Sequence, residues 1–190
     1  MRTMENLNQA EAGILLWIQE NLRTEWLDHI MPYVSGINDH GILAIIGVIV
    51  LLLWGRYRKV GITAFGSLAV EFIIVNLLIK PNVQRTRPFY VLEDLHLLGS
   101  LPTDFSFPSG HTGSAFAVAV VMLMCMPARY GVTAILVSAL IALSRLYNAA
   151  HYPTDVLCGM LIGIITGVIA SLLYKKYQKK CNEGEKLSCR

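Results

Sequence analysis

A histidine and a carboxylate stand four residues apart in a short polar segment between two apolar stretches. They are His151 and Asp155, and Pro153 between them suits the first turn of a helix. Residues four apart lie on the same side of a helix, so the carboxylate can accept the Nδ1 proton and leave Nε2 as a nucleophile or base. The same spacing also suits a capping interaction or a simple hydrogen bond, and both interpretations stay open for the pair alone.

A second histidine follows a helix-start signal. Pro108, Ser109 and Gly110 directly precede His111. At a helix start these residue types leave backbone N–H groups free to face an anion, and the serine hydroxyl adds a donor. The segment therefore predicts a phosphate cradle, with an ordinary N-cap as the alternative.

Four basic residues border these segments, and they are Lys80, Arg85, Arg87 and Arg145. An arginine offers a rigid fork for phosphate oxygens and a lysine adds a mobile charge, which favours an anion site. In the alternative, Lys80 and Arg145 only end helices at the headgroup level, and the two remaining arginines form ion pairs. Their possible partners are Glu93, Asp94 and Asp104.

The elements that position these groups are predicted to be membrane-spanning helices. Hydrophobic residues make up 54% of the 190 residues, charged residues only 15%, and the mean hydropathy is +0.51. This composition excludes a disordered chain and an ordinary soluble globule. The length suits one domain, and a net charge of +3 is too small to suggest a nucleic-acid partner. The four cysteines are too few and too scattered for a disulfide framework.

Stretches almost free of charged residues predict an all-α bundle of five transmembrane helices. The stretches are 40–55, 60–79, 105–128, 130–144 and 156–174. Glu71 is an ionisable residue inside the second stretch, and we favour a structural role for it over a functional one.

Basic residues at alternate membrane exits predict the orientation of the bundle. They are Arg56, Arg58, Lys59, Arg129, Lys175, Lys176, Lys179 and Lys180. The positive-inside rule assigns their side, and with it the C-terminus, to the cytoplasm. The segments 80–104 and 147–155 then emerge on the extracytoplasmic face of a multi-pass plasma (inner) membrane protein.

The pattern divides the chain into three parts. Residues 1–39 are predicted to form interfacial amphipathic helices, residues 40–174 the transmembrane domain, and residues 175–190 a basic, partly disordered cytoplasmic tail. In the alternative, residues 10–36 form a sixth span. That span would bring costly charges into lipid, namely Glu11, Glu20, Arg23, Glu25 and Asp28.

The three candidate segments together resemble the signature of the type 2 phosphatidic acid phosphatase superfamily, which comprises membrane lipid phosphatases. The family patterns are KxxxxxxRP, PSGH and SRxxxxxHxxxD, and they match here in order and without exception. The matching residues are Lys80, Arg87, Pro88, the segment 108–111, Ser144, Arg145, His151 and Asp155. The resemblance implies a helical core similar to that of vanadium haloperoxidases.

The resemblance also implies the role of each residue. His151 would attack phosphorus and form a phosphohistidine, Asp155 would orient it, and His111 would protonate the leaving oxygen. The phosphoryl oxygens would be bound by Lys80, Arg87, Ser109, Gly110 and Arg145. The family needs no metal or other cofactor, and the sequence shows no His and carboxylate cluster with metal-ligand spacing.

The expected function is a membrane phosphatase acting on a lipid phosphate or diphosphate at the extracytoplasmic face, with undecaprenyl diphosphate, the cell-wall lipid carrier, as the first candidate. Phosphatidylglycerol phosphate, phosphatidic acid and the lipid A phosphate are the alternatives. A lipid phosphotransferase also stays open. A non-catalytic lipid-phosphate binder is less favoured, because binding needs the cations but no oriented nucleophile.

Overall fold

The computed structural model describes residues 2–188. Helices are the regular secondary structure of these residues and no strand occurs among them, so the all-α prediction is confirmed. The α-helices are α1 (Arg2–Leu22), α2 (Glu25–Gly36), α3 (Ile42–Leu53), α4 (Arg58–Phe72), α5 (Lys80–Val83), α6 (Pro88–Val91), α7 (Gly110–Cys125), α8 (Ala128–Tyr147) and α9 (Pro153–Ser188). A π-helical segment, Ile73–Ile79, joins α4 to α5.

Four helical stretches among the described residues are long and apolar enough to cross a membrane. They are Glu25–Leu53, Gly55–Val91, Ala128–Tyr147 and Pro153–Cys181. Helix α7 is apolar but shorter, with 16 residues. The structure therefore supports a polytopic membrane bundle, while the count of five or six spans stays a prediction.

The first candidate span begins earlier than the sequence pattern suggested. Helix α2 and helix α3 follow one another through a kink at His40, which has a φ of 52°. The expected start at residue 40 therefore lies inside a longer helical stretch that begins at Glu25. Because α2 carries charged residues, a search for charge-free stretches does not include it in the span.

Helix α7 is the centre of the bundle and packs against α4, α8 and α9. Its residues from Thr112 to Val121 are all buried. Glycines of α9 allow the close approach: a Cβ at Gly159 would lie 2.3 Å from the Ser109 carbonyl oxygen, and one at Gly163 would lie 2.4 Å from the Gly113 carbonyl oxygen. Small residues thus hold the N-terminus of α7 against the start of α9.

Helix α9 continues through the basic end of the chain to Ser188. Residues 175–188, which the sequence assigned to a partly disordered basic tail, are thus described as helical, and the tail's boundary and its cytoplasmic side stay predictions. Residues 189–190 lie outside the described residues. Lys179 and Glu183 are one helical turn apart, with 3.9 Å between Nζ and Oε1, which is a spacing that supports a helix.

Substituting Gly163 by alanine should destabilise the bundle. The new Cβ would meet the backbone of α7, and overpacking of this kind costs about 1–3 kcal/mol. The matched control is Gly66→Ala in α4, where the Cβ would find no atom within 4 Å. Thermal unfolding of the purified protein in detergent should show a lower Tm for Gly163→Ala and no loss for Gly66→Ala. An equal Tm for the two variants would contradict the close contact between α7 and α9.

Candidate active site

The predicted site residues meet at one end of the bundle. Lys80 begins α5, Arg87 precedes α6, Gly110 begins α7, Arg145 lies in the last turn of α8, and His151 precedes α9. Their side chains are buried or nearly so, although several carry charge. The structure thus brings together the three segments that sequence spacing selected.

His151 lies at the centre of this cluster and is 1% exposed. Its Nε2 is 3.2 Å from Nη1 of Arg87, and its Nδ1 is 3.5 Å from Oδ2 of Asp155. Because a guanidinium can only donate, Nε2 must accept and carries the lone pair, which assigns the proton to Nδ1. The Nδ1 to Asp155 distance is too long for a good hydrogen bond, but the carboxylate faces the proton that it was predicted to accept.

Burial lowers the pKa of His151 well below its usual value, and the positive charges of Arg87 and Arg145 lower it further. His151 is therefore neutral at neutral pH. A neutral imidazole with its lone pair on Nε2 is the state that a nucleophile requires.

Asp155 is fully buried and held by several donors. Nη1 of Arg85 donates to Oδ1 at 2.5 Å, the Tyr152 N–H donates to Oδ2 at 2.9 Å, and the Ser106 hydroxyl also donates to Oδ2. Of the carboxylates that the sequence offered to Arg85, none is its partner. Arg85 binds Asp155 instead, a contact between residues 70 positions apart that local spacing does not indicate.

Lys80 and Arg87 share one carboxylate, Asp104. Nη2 of Arg87 donates to Oδ1 of Asp104 at 2.5 Å, and Lys80 donates to Oδ2. Burial opposes the ionisation of Asp104, but the two cations outweigh it and hold the pKa of the carboxyl well below its usual range. The ion pair between Arg87 and Asp104 was the alternative to an anion site. The structure shows it together with a contact between Arg87 and His151, so the two interpretations are compatible.

Arg145 approaches the same cluster from α8. One Nη nitrogen donates to the Ser35 hydroxyl of α2, while Nε is buried and has no partner among the described residues. A buried guanidinium nitrogen without a partner is costly unless a ligand pairs with it. Arg145 therefore has the donor capacity that anion binding requires.

The start of α7 lacks an ordinary side-chain cap. The Ser109 hydroxyl makes no hydrogen bond to the α7 backbone and lies 3.1 Å from the Thr112 hydroxyl. A Cβ on Gly110 would lie 3.8 Å from Nζ of Lys80, so the start of α7, where N–H groups lack helical partners, lies next to this cation. This geometry favours the predicted phosphate cradle over the N-cap.

His111 has a partner that the sequence analysis missed. Its Nε2 lies 2.7 Å from Oδ1 of Asp39, which comes from the kinked junction between α2 and α3. Asn38 holds the same junction in place by donating to the His111 carbonyl oxygen at 2.8 Å. In the sequence, Asp39 belongs to a polar Asn-Asp-His run just before an apolar stretch. That run does not indicate that Asp39 contacts a histidine 72 residues away.

Glu71 is buried against Gly113, and its Oε1 has no partner among the described residues. Among the described residues Glu71 makes no side-chain hydrogen bond or ion pair with a predicted site residue, and its structural role stays a prediction. In the part of the chain that the structure describes, no three His, Cys, Asp or Glu side chains converge to hold a metal ion.

An apolar groove runs between α3, α7 and α8. Its volume is about 280 Å³, and it extends from Leu43 and Ala115 to Trp54 and Tyr130. Leu43 follows Asp39 by four residues and Ala115 follows His111 by four, so the groove starts about one helical turn, ~5 Å, beyond that pair. The groove can hold an apolar chain whose polar end lies at the cations.

Comparisons with known proteins bear on all three motifs. The model of the PAP2 superfamily matches residues 60–179. The chain is 35% identical over 113 residues to an undecaprenyl-diphosphatase of Sulfolobus acidocaldarius, covering 60% of this chain and 54% of that protein, so it spans about half of that relative's length. It is 31% identical over 151 residues to the undecaprenyl-diphosphatase BcrC of Bacillus subtilis, covering 75% and 72% of the two chains.

A solved structure has the same fold. LpxE of Aquifex aeolicus superposes with a TM-score of 0.72 at 28% identity, covering 83% of this chain and 92% of that one. The predicted resemblance is thereby confirmed, and the matched segment contains every residue of the three motifs.

Replacing Arg145 by glutamine should weaken the binding of orthovanadate, an analogue of phosphate, by about tenfold to hundredfold. The change removes a charge-assisted hydrogen bond worth about 1.5–3 kcal/mol. Isothermal titration calorimetry in detergent measures the Kd. Arg129→Gln is the matched control, because that exposed residue lies at the other end of α8. If both variants bind vanadate as tightly as the unaltered protein, Arg145 does not contact the anion.

Proposed function

Because the chain belongs to the PAP2 superfamily, we propose that it is a metal-independent lipid phosphatase that acts through a phosphohistidine at the extracytoplasmic face, with undecaprenyl diphosphate as its substrate. The observation that carries this proposal is the neutral, buried His151, whose Nε2 lone pair faces Arg87 while its Nδ1 proton faces Asp155.

In the first step, Nε2 of His151 attacks the terminal phosphorus, and the bond from phosphorus to the leaving oxygen breaks. Lys80, Arg87 and Arg145 hold the phosphoryl oxygens, together with the Ser109 hydroxyl and the Gly110 N–H. Asp155 stabilises the positive charge that develops on the imidazole as its lone pair forms the new bond. For a phosphate monoester, His111 donates a proton to the leaving alkoxide.

In the second step, water attacks the phosphohistidine and returns Nε2 to its neutral state. His111, which lost its proton to a monoester leaving group, takes a proton from the attacking water. Inorganic phosphate leaves, and the site returns to its starting protonation. With a diphosphate substrate the leaving group is a lipid monophosphate, which is stable as an anion and needs no proton. His111 then keeps its proton throughout, and the proton of the attacking water stays on the inorganic phosphate that leaves.

The apolar groove supports a lipid substrate over a soluble one. The leaving oxygen must lie near His111, and the groove begins about one turn, ~5 Å, below that residue. A lipid chain attached to the leaving group can therefore follow the groove into the membrane. Two relatives of this chain are named undecaprenyl-diphosphatases, which favours a prenyl diphosphate over the phosphate monoesters. The positive-inside pattern favours the extracytoplasmic face for the site.

Replacing His151 by alanine should abolish phosphate release from undecaprenyl diphosphate, since the variant lacks the nucleophile. Release by the unaltered protein in detergent should persist in excess EDTA. His29→Ala is the matched control, because it makes the same substitution at an exposed histidine that forms no side-chain hydrogen bond among the described residues. Phosphatidylglycerol phosphate and phosphatidic acid are assayed in parallel, and the ranking of kcat/KM assigns the substrate. Loss of activity with EDTA, or full activity of His151→Ala, would contradict the proposed mechanism.

Replacing His111 by alanine should reduce turnover of a monoester more than turnover of a diphosphate. An alkoxide leaving group needs the proton that His111 supplies, and general acid catalysis contributes about 10²–10⁴-fold. The measurement is kcat for phosphatidic acid and for undecaprenyl diphosphate in the same preparation. An equal decrease in kcat for both substrates would show that His111 is not the general acid.

A further inference from the structure

Helix α1 lies outside the segment that the family model matches, yet it is docked directly behind the catalytic histidine. One face of the helix carries Glu11, Leu15 and Gln19, which follow one another at intervals of four residues. Leu15 packs with Tyr152 in a buried cluster, and the Gln19 amide donates to the Asp94 carbonyl oxygen at 2.8 Å. This face is therefore held by specific contacts with the loops that surround the site.

Glu11 is the charged residue at the centre of this docking face, and it is 5% exposed. Its Oε1 accepts from the Thr154 N–H at 2.6 Å, and its Oε2 accepts from the Thr154 hydroxyl at 2.9 Å. Oε2 also accepts from Nη2 of Arg85. A carboxylate buried this deeply needs such partners, and Glu11 has them on the residue next to Asp155 and on the arginine that binds Asp155.

Arg85 joins the two carboxylates. Nη1 donates to Oδ1 of Asp155, and Nη2 donates to Glu11 and to the Asn8 side chain at 2.6 Å. The guanidinium carbon also lies 3.9 Å from the centre of the Tyr152 ring. Arg85 is thus fixed in a position from which it touches only one oxygen of Asp155.

We propose that Glu11 is a positioning residue that acts on His151 through Arg85 and Asp155. By holding Nη2, Glu11 prevents the guanidinium from turning to bind both oxygens of Asp155 in the bidentate arrangement that arginine and carboxylate prefer. Oδ2 of Asp155 then stays directed at Nδ1 of His151. Helix α1 is accordingly part of the catalytic apparatus, an inference that rests on the proposed phosphatase function.

The charges suggest which variant tests the proposal. Removing Arg85 would leave two carboxylates buried without a cation, which is strongly destabilising. Glu11→Gln instead leaves Arg85 paired with Asp155, so no charge is left uncompensated. Glutamine also keeps an oxygen that can accept from the Thr154 N–H. The matched control is Glu20→Gln, which makes the same change at an exposed position of α1.

Glu11→Gln should lower kcat for undecaprenyl diphosphate by about tenfold or more, because a remote substitution that misplaces a reacting group by ~1 Å can cost on the order of a hundredfold in rate. KM should stay within about twofold, because Glu11 does not touch the substrate. Inhibition by vanadate, which can bond to Nε2, should weaken about tenfold, while inhibition by inorganic phosphate, held by the cations, stays unchanged. Glu20→Gln should match the unaltered protein in all four quantities.

Repeating the Glu11→Gln substitution in an Arg85→Lys protein distinguishes a positioning role of Glu11 from a purely structural one. Lysine at position 85 keeps the positive charge but cannot bind two carboxylate oxygens in parallel. If Glu11 acts by preventing that bidentate arrangement, the double variant Arg85→Lys, Glu11→Gln should differ in kcat from the single variant Arg85→Lys by less than about twofold. KM and the two inhibition constants do not depend on the folded fraction of the preparation.

Three results would overturn the proposal: a kcat for Glu11→Gln equal to that of Glu20→Gln, a raised KM with unchanged kcat, or an undiminished effect of Glu11→Gln in the lysine background. If the unaltered protein releases no phosphate from any lipid, the proposed function fails. The Kd values of vanadate and of inorganic phosphate, measured by calorimetry for Glu11→Gln and Glu20→Gln, then still test whether Glu11 acts on His151 through Arg85 and Asp155.

Discussion

The structure depends on keeping one histidine neutral in a buried space that also holds several cations. Arg87 and Arg145 bring positive charge close to His151, and each would repel a proton on its ring. The same charges would hold the phosphoryl group in the proposed mechanism, so the site cannot dispense with them. It compensates with carboxylates placed at the edges of the cluster, where Asp104 pairs with Lys80 and Arg87, and Asp155 lies on the Nδ1 side of the ring. The lone pair on Nε2 is a consequence of this arrangement.

The close packing of α7 and α9 brings the two histidine segments together. The Ser109 N–H donates to the Asp155 carbonyl oxygen at 2.9 Å, which fixes the start of one helix against the start of the other. Glycines at positions 159 and 163 allow the two backbones to approach so closely. A side chain at either position would separate the Pro-Ser-Gly segment from the segment that carries His151 and Asp155. The geometry of the site is therefore set by the packing of α7 against α9 as well as by the charged side chains around it.

The residues within each motif could be predicted from the sequence because their spacing is local. Four residues between His151 and Asp155 amount to one helical turn, and a Pro-Ser-Gly run marks a helix start regardless of the rest of the fold. The partners of these residues could not be predicted. Asp39 reaches His111 across 72 positions, and Arg85 reaches Asp155 across 70, because the bundle folds distant helix ends onto the same surface. Charge-free stretches likewise located the apolar helices but not their ends, since α2 carries charges and α9 remains helical beyond the apolar region.

The N-terminal helices, which precede the segment matched by the family model, contact several side chains of the site. Residues 60–179 contain every motif residue, but each of three catalytic or binding side chains is held from outside by the first 39 residues. Asp39 contacts His111, Ser35 contacts Arg145, and Glu11 reaches Asp155 through Arg85. Helix α3 also forms one wall of the apolar groove. The motif residues thus lie in the matched segment, whereas the side chains that hold His111, Arg145 and Arg85 come from helices that carry no motif. In the proposed mechanism, changes in these N-terminal helices would alter the orientation of the acid and the nucleophile while the reacting groups stay the same.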